Sequence, residues 1–305
     1  MRDKIVVASE ALATGRLTRR ELDRSYTKLF RNVYARSGFE LIARDKAVAA
    51  WLWSGRSATL AGCSAAAVLG MRWLDASEPA ELIRANRRAP KGICVYSDTL
   101  SGSDTCRVGD MRVTTPARTA FDMARRLPLL IAVPRIDALL RVSGCTVLDA
   151  RAAMGQHPGL RGVRRAAKAL DVADGSAESP PESLTRILLI AAGFPRPVTQ
   201  ILIRDDDGHP VYRLDMGWPQ YKVAVEYDGA QHRTDPAQRA RDIERLGFLA
   251  ARGWTIIRVS WMQLRDQPKT VVNRVARALG VVPNVTLLHG LLDGWVQQLH
   301  VRRAS

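Results

Sequence analysis

The chain has 305 residues, of which 47% are hydrophobic and 25% are charged. This composition is typical of a soluble globular protein and excludes a disordered chain and a disulfide-stapled miniature fold; at roughly 150 residues per domain, the length predicts two domains. The net charge of +16 favours a polyanionic partner, DNA or RNA, because neutralising phosphates releases condensed counterions.

The positive charge is concentrated in the N-terminal half. Residues 1–170 contain 29 Lys and Arg against 15 Asp and Glu, whereas residues 171–305 contain 17 against 15. The N-terminal half is therefore expected to bind DNA, although charge alone does not distinguish DNA from RNA. Only 7 of the 46 basic residues are Lys, so the alternative is that part of the excess reflects coding bias and a solvated surface.

Two further classes of protein are not indicated. The four cysteines, Cys63, Cys94, Cys106 and Cys145, form no CxxC pair, which predicts reduced thiols rather than a structural zinc site. The N-terminus lacks the apolar core of a signal peptide. The longest weakly polar stretch, residues 57–71, is too short to cross a bilayer of about 30 Å. We expect a cytoplasmic protein that does not enter the membrane.

The first segment, residues 1–45, is predicted to be a winged-helix DNA-binding region. Residues 5–14 suit a helix, Gly15 a turn, and Thr18 with Glu21 forms a capping box for a helix over 19–26. Residues 29–34 then predict a short hairpin. The alternative is a small helical cap with an exposed charged face. The predicted nucleic-acid contacts are Arg16, Arg19, Arg20, Arg24, Lys28 and Arg31.

Residues 46–170 are predicted to form an α/β middle region, with short strands at 92–96 and 111–114 and a helix that begins at Thr115-Pro116. No phosphate-binding or dinucleotide-binding glycine motif occurs here. Asp122, Asp137 and Asp149 are expected to be surface or capping residues. The polar stretch 171–181, which contains Gly and a Pro pair, predicts a linker.

After the linker, residues 182–280 predict a compact α/β domain. The order is a helix over 182–192, strands over 211–215 and 221–228, a helix over 236–252 and a strand over 254–260. The final piece, residues 281–305, contains a helical pattern over 287–301. This piece is expected either to pack back on the domain or to mediate association, as in a homodimer.

The strand over 221–228 carries the acidic residues of interest. Alternation sends Val223, Val225 and Tyr227 to one face. The other face receives Lys222, Ala224, Glu226 and Asp228. Pairing in a hairpin would bring Asp215 and Glu226 within reach of one Mg²⁺ or Mn²⁺, which activates water and neutralises charge on a phosphodiester. Glu182, at the first turn of the preceding helix, is a candidate third oxygen donor or a group that orients a metal-bound water.

These residues carry a resemblance to a known family. Glu182, Asp215, the run Val225-Glu226-Tyr227-Asp228-Gly229-Ala230-Gln231-His232, the run Arg241-Asp242-Ile243-Glu244-Arg245 and the run from Gly253 to Arg258 resemble a bacterial family related to very-short-patch-repair endonucleases, within the PD-(D/E)XK superfamily. The N-terminal part more faintly resembles the winged-helix region of AbiEi-type antitoxins. The resemblance implies a restriction-endonuclease-like α/β domain, with a mixed sheet flanked by helices.

The resemblance also implies roles for individual residues. Asp215 and Glu226 become metal ligands, with Asp228 completing the acidic cluster, and His232 becomes a proton-transfer residue. Asp228 stands where the superfamily has a Lys that positions the attacking water. Lys222, on the same strand face, or His232 alone is the expected replacement.

Three arginines downstream are candidate phosphate contacts. Arg241 and Arg245 are spaced i, i+4 on one helix face. Because Asp242 and Glu244 neighbour them, the alternative is a solvated set of helix ion pairs. Arg258 alternates with apolar residues and is expected on the side of the carboxylates, as the better phosphate anchor.

Together these features predict a Mg²⁺-dependent DNA endonuclease that hydrolyses phosphodiesters. For each acidic residue alone, a turn or solvent-facing role is the simpler interpretation, since Asp228-Gly229 is a common turn sequence. The rival hypothesis is a non-catalytic DNA-binding regulator, such as a type IV antitoxin-like repressor. A neighbouring gene for a nucleotidyltransferase-type toxin would favour that rival.

Overall fold

The computed structural model describes residues 4–72, 74–229 and 236–295. It is a mixed α/β architecture, which confirms the predicted fold class. The described chain divides into two compact units. The first contains the residues up to Arg126 and Val142–Leu170, and the second contains Leu127–Arg141 and the residues from Asp171 onward.

The strands are β1 (Ile5–Val7), β2 (Tyr26–Phe30), β3 (Val33–Arg36), β4 (Thr59–Leu60), β5 (Ala80–Ile83), β6 (Ile93–Tyr96), β7 (Thr105–Val108), β8 (Met111–Thr114), β9 (Val198–Arg204), β10 (Pro210–Trp218), β11 (Val223–Asp228) and β12 (Thr255–Ser260). The helices are α1 (Ala8–Ala13), α2 (Arg19–Ser25), α3 (Ala43–Trp53), α4 (Gly62–Val68), α5 (Pro116–Arg126), α6 (Leu129–Ser143), α7 (Val147–Gly155), α8 (Val163–Val172), α9 (Pro180–Ala191), α10 (Pro236–Ala251), α11 (Trp261–Asp266), α12 (Pro268–Leu279) and α13 (Val285–Leu292).

The N-terminal segment combines α1 and α2 with a three-stranded sheet in the order β1-β3-β2. The capping box at the start of α2 is confirmed, with Thr18 Oγ1 accepting from the Glu21 amide at 3.2 Å. The predicted helix over 5–14 is wrong at its start. Ile5–Val7 pair antiparallel with β3 instead, because three consecutive β-branched residues favour a strand that the hairpin edge can pair.

The rest of the first unit surrounds a five-stranded sheet in the order β6-β5-β4-β8-β7. A buried charge cluster lies beside it, centred on the fully buried Arg118 of α5. Its guanidinium contacts the carboxylates of Asp98 at 3.3 Å, Asp104 at 3.1 Å and Asp122 at 3.2 Å. The expectation that Asp122 is a surface or capping residue is therefore wrong, because the i, i+4 spacing from Arg118 pairs the two charges inside the core.

The second unit is built on a four-stranded mixed sheet in the order β12-β11-β10-β9. The pairs β9–β10 and β10–β11 are antiparallel, and β11–β12 is parallel. Strand β9 did not emerge from the sequence pattern. Helices α9 and α12 pack against β11, and Leu249 of α10 shares a hydrophobic cluster with Ala224. Both faces of β11 are thus covered.

Three further features of the described residues concern the membrane, the thiols and the C-terminal piece. Among the residues that the structure describes, no helix combines the length and apolarity needed to cross a membrane. All four cysteines are free thiols in the structure. The described part of the C-terminal piece packs back on the second unit, where the buried Trp295 donates its Nε1–H to the Leu264 carbonyl at 2.9 Å. Residues 296–305 lie outside the described part of the chain.

Candidate active site

Asp215 and Glu226 lie at the centre of the second unit, on adjacent antiparallel strands. The register pairs Met216 with Val225, so one further step along the ladder places Asp215 opposite Glu226. Directly opposed residues have Cβ atoms about 4.5–5.5 Å apart. Asp215 Oδ2 accepts a hydrogen bond from the Tyr227 amide at 2.8 Å, which fixes the carboxylate against β11. The two predicted metal ligands are brought together.

Glu182 approaches this pair from the first turn of α9. Its Oε1 accepts from Ser179 Oγ at 2.7 Å, and its Oε2 accepts from the Glu178 amide at 2.8 Å. The carboxylate is buried and completes the N-terminal cap of the helix. Its negative charge still reaches Asp215, where it raises that residue's pKa. Glu182 therefore both caps α9 and repels the ionised form of Asp215.

The pKa of Asp215 is raised to about 7. Burial is the largest cause, followed by the charge of Glu182, and the charge of Glu226 adds to both. The Tyr227 amide and the Arg245 guanidinium oppose the shift. In such surroundings a further cation stabilises the ionised form of the carboxylate, because the cation offsets the repulsion among the carboxylates.

Divalent-cation binding to this site is expected to strengthen as the pH rises to about 7 and to level off above it. Because the cation needs an ionised Asp215, each pH unit below about 7 should weaken the apparent affinity by up to about tenfold. Titration calorimetry with Mn²⁺ across the range from about pH 5.5 to about pH 8.5 measures this dependence. An affinity that is flat down to about pH 5.5 would contradict a site that includes Asp215.

Glu226 is bound by Arg245, which was predicted from the sequence to contact phosphate. Arg245 of α10 donates Nη1–H to Glu226 Oε2 at 3.0 Å and Nη2–H to Glu226 Oε1. The same Nη2 also reaches the Arg213 carbonyl at 3.4 Å, and the guanidinium lies 5.8 Å from the centre of the Tyr212 ring. The predicted phosphate contact at Arg245 is, in this structure, the ion-pair partner of Glu226.

A cavity of about 210 Å³ opens in front of the acidic pair. The charged residues that line it are Asp215, Glu226, Asp228, Asp242, Arg245 and Arg258. Arg258 lies beside Glu226 in the parallel β11–β12 register and approaches Asp242 at 3.5 Å. Asp242 is a lining residue that the sequence analysis treated only as a neutraliser of Arg241 and Arg245. Its position one turn before Arg245 on α10 was the available signal.

The other predicted site residues fall in different places. Lys222 has a left-handed backbone, with φ of 49°, and its Nζ donates to the Arg252 carbonyl at 2.8 Å. It does not line the cavity. Arg241 is exposed on α10, one turn before Arg245. His232 lies outside the described residues.

The six basic residues predicted to contact nucleic acid are exposed in the first unit. Arg19 has an ion pair with Asp23 at 3.4 Å. The others lie on α2, on β2 or in the loops beside them. They are Arg16, Arg20, Arg24, Lys28 and Arg31.

A second group of potential metal ligands lies in the β9–β10 hairpin. Asp205, Asp207 and His209 place ligand atoms within 4.8 Å of one another. The Asp205 carboxylate already accepts the amides of Asp207 at 3.1 Å and His209 at 2.8 Å. This pattern is that of a side chain closing a tight turn. The hairpin therefore explains the group without an ion.

The cavity residues fit a hard divalent cation. Four carboxylates and two guanidiniums line the cavity, so the lining carries an excess of negative charge. Carboxylate oxygens are the ligands that Mg²⁺ and Mn²⁺ prefer. Burial is the largest cause of the raised pKa of Asp215, and the charge of Glu226 in this lining adds to it. The residues that could hold such an ion are Asp215, Glu226 and Asp228.

Comparison with known proteins identifies a restriction-endonuclease-like domain in the second unit. The restriction-endonuclease-like family model REase_MTES_1575 matches residues 203–279, a span that includes Asp215, Glu226, Arg245 and Arg258. Two Mycobacterium tuberculosis proteins from different strains, uncharacterized protein MT2308 and uncharacterized protein Rv2248, are each 30% identical over 274 residues, which is 86% of this chain and 97% of theirs. The crystal structure of the RV2827C protein from Mycobacterium tuberculosis matches 60% of this chain and 75% of its own, at 20% identity and a TM-score of 0.37.

Proposed function

Because the chain belongs to the family of the Mycobacterium tuberculosis proteins MT2308 and Rv2248 and contains a restriction-endonuclease-like domain, we propose that it is a Mg²⁺-dependent endonuclease acting on DNA. The observation that carries the proposal is the cavity lined by four carboxylates and two guanidiniums. The cavity lies where Asp215 and Glu226 meet on adjacent strands of the sheet.

The chemistry assigns a distinct task to each group. A Mg²⁺ ion held by Asp215, Glu226 and Asp228 would lower the pKa of bound water and neutralise charge on the phosphate. Arg258 lines the same cavity and offers a planar fork that suits a phosphate oxygen pair. Glu182 holds the start of α9 and adds negative charge near Asp215. His232 is proposed as the proton-transfer residue, on the resemblance to very-short-patch-repair endonucleases.

The direct test is cleavage by the purified full-length protein. Supercoiled plasmid should be nicked or linearised in Mg²⁺ or Mn²⁺ and left intact in EDTA. Single-stranded DNA and RNA substrates in parallel decide which nucleic acid is cut. If none of these substrates is cleaved in Mg²⁺ or in Mn²⁺, the proposal is overturned.

Binding of DNA by the first unit is the second part of the proposal. The exposed basic residues of α2 and β2 would contact phosphates, as in a winged helix of the AbiEi type. Each phosphate contact contributes about 0.9 to the slope of log affinity against log salt concentration. Replacing Arg20 and Arg24 with Ala should therefore weaken DNA binding in EDTA for all sequences alike, and should lower the salt slope by roughly two.

Fluorescence anisotropy with a labelled duplex at several salt concentrations measures both quantities. The matched control is Arg277→Ala, which removes an exposed arginine from α12 and should leave the slope unchanged. An equal effect of the control and the double variant would contradict binding through α2.

The second candidate function is a DNA-binding regulator without catalytic activity. It is favoured by Asp228 at the position of the superfamily Lys and by the Arg245 ion pair, which neutralises Glu226 without a metal. Tight, site-specific binding in EDTA, combined with no cleavage of DNA or RNA in Mg²⁺ or Mn²⁺, would favour the regulator. A toxin gene next to this one would support an antitoxin-like role.

A further inference from the structure

The ion pair between Arg245 and Glu226 uses both oxygens of a proposed metal ligand. One guanidinium nitrogen donates to Oε2 at 3.0 Å and the other donates to Oε1. The two side chains are only 19% and 9% exposed, so water competes weakly for either partner. A bidentate Arg–carboxylate pair of this kind is among the stronger polar contacts in proteins.

A divalent cation and the guanidinium cannot hold the same carboxylate in the same way. Arg245 remains protonated at all accessible pH values, and its pKa is raised further by the hydrogen bonds to Glu226. Coordination by Glu226 through the lone pairs that Arg245 now occupies requires Arg245 to leave at least one of the two oxygens. Asp215 faces no such competition, because its described hydrogen bond comes from a backbone amide.

The position of Arg245 indicates where its guanidinium would go. The side chains of Arg245 and Arg258 line the same cavity. On α10, Arg245 lies three residues after Asp242 and three residues before Phe248, whose ring contacts that of Tyr212. A guanidinium released from Glu226 would still lie in the cavity. Its fork of donors matches a phosphodiester.

Resting on the proposed function, we propose that Arg245 is an exchangeable internal cation. It neutralises Glu226 in the metal-free protein and transfers to a substrate phosphate when a divalent cation takes that carboxylate. Among the described residues of β11 that line the cavity, Glu226, Tyr227 and Asp228, none carries a positive charge. The helix supplies it instead, and metal binding becomes coupled to nucleic-acid binding.

Two measurements on three variants test this exchange. In Mn²⁺ titration calorimetry without DNA, Arg245→Gln should bind Mn²⁺ about tenfold more tightly than the wild type, because the competing ion is gone. Arg245→Lys, which keeps the charge but loses the fork, should fall between them. Arg258→Gln removes a cavity arginine whose ion pair is with Asp242, so it should change the affinity much less.

The second measurement is duplex binding in EDTA by fluorescence anisotropy. Since Arg245 is engaged with Glu226 in the metal-free protein, Arg245→Gln should weaken duplex binding less than Arg258→Gln does. Equal Mn²⁺ affinities for Arg245→Gln and Arg258→Gln, or a loss of duplex affinity in EDTA as large for Arg245→Gln as for Arg258→Gln, would overturn the exchange while leaving the proposed nuclease intact.

Two further outcomes separate the remaining cases. Absence of Mn²⁺ binding in the wild type and in all variants would overturn both proposals. If Arg245→Gln lacks the circular dichroism spectrum of the folded protein, Arg245→Lys decides the question alone. Mn²⁺ affinity of Arg245→Lys equal to or below that of the wild type would then count against the exchange.

Discussion

Asp215→Asn is expected to lower metal-dependent cleavage by at least about 100-fold and, at the same time, to stabilise the metal-free protein. The loss follows because the amide is uncharged and a weaker ligand for a hard cation. The Tyr227 amide can still donate to the Asn carbonyl, so the strand contact at 2.8 Å is retained. Plasmid nicking in Mg²⁺ measures the first effect and thermal unfolding in EDTA measures the second.

The sign of the stability effect follows from the pKa of Asp215. In the folded protein the pKa is raised from 3.8 to about 7, so the folded state holds a proton that the unfolded chain releases. The metal-free protein therefore loses stability as the pH rises from about 4 to about 7. At about pH 8 the Asn variant should gain about 1–3 kcal/mol in free energy of unfolding, and less at about pH 5.

The matched control is Asp205→Asn in the β9–β10 hairpin, where the other group of potential ligands lies. This variant should keep cleavage within about threefold of the wild type, and it should not gain stability at high pH, because the carboxylate accepts two turn amides. Full activity of Asp215→Asn, or loss of activity in Asp205→Asn, would move the metal site away from the cavity.

Much of the second unit could be predicted from the sequence, because its strands and helices follow local patterns. The strand ending at Asp228, the helix from Pro236 and the strand before Ser260 are all present. The pairing of Asp215 with Glu226 could only be expected, since sequence does not fix a hairpin register. Strand β9 was missed because its polar Thr199 and Gln200 interrupt the apolar pattern.

The contacts of long side chains between elements were beyond the sequence. Arg245 was correctly placed on α10, but nothing in the i, i+4 pattern shows that its guanidinium reaches Glu226 across to β11. For Lys222 the backbone conformation itself was predicted wrongly. The alternation rule put it on the strand, whereas the turn ending at Tyr221 leaves it in a left-handed conformation, and its amine binds the Arg252 carbonyl.

Buried aspartates are the clearest example of a wrong expectation. Asp149 does cap a helix, with Thr146 as its capping-box partner. Asp137, by contrast, is buried on α6. Its Oδ2 accepts from Arg186 Nη2 at 2.5 Å and from Ser183 Oγ at 2.5 Å. A partner 49 positions away leaves no local trace in the sequence.

These contacts explain why α6 belongs mainly to the second unit although it precedes the predicted linker. Besides its two partners on α9, Asp137 Oδ1 accepts the Asp174 amide at 2.7 Å, which ties the linker itself to the helix. Arg186 is fully buried and also donates Nε–H to the Val172 carbonyl at 3.1 Å. One carboxylate thus joins α6, the linker and α9 in the unit that carries the acidic cavity.

Asp137→Ala is accordingly expected to destabilise the second unit by about 3–5 kcal/mol, because it leaves the Arg186 guanidinium buried without its counter-ion. Asp149→Ala, at an exposed capping box, should cost much less. Replacing both members of the buried pair, as Asp137→Leu with Arg186→Met, should recover most of the loss, because two apolar side chains leave no unpaired charge. Urea unfolding followed by circular dichroism, with hydrogen exchange on α6 and α9, measures the stability of all three variants.

Equal losses of stability for Asp137→Ala and for the double variant would show that the apolar pair cannot pack there. A loss for Asp137→Ala no larger than that for Asp149→Ala would show that the ion pair does not hold α6 in this unit.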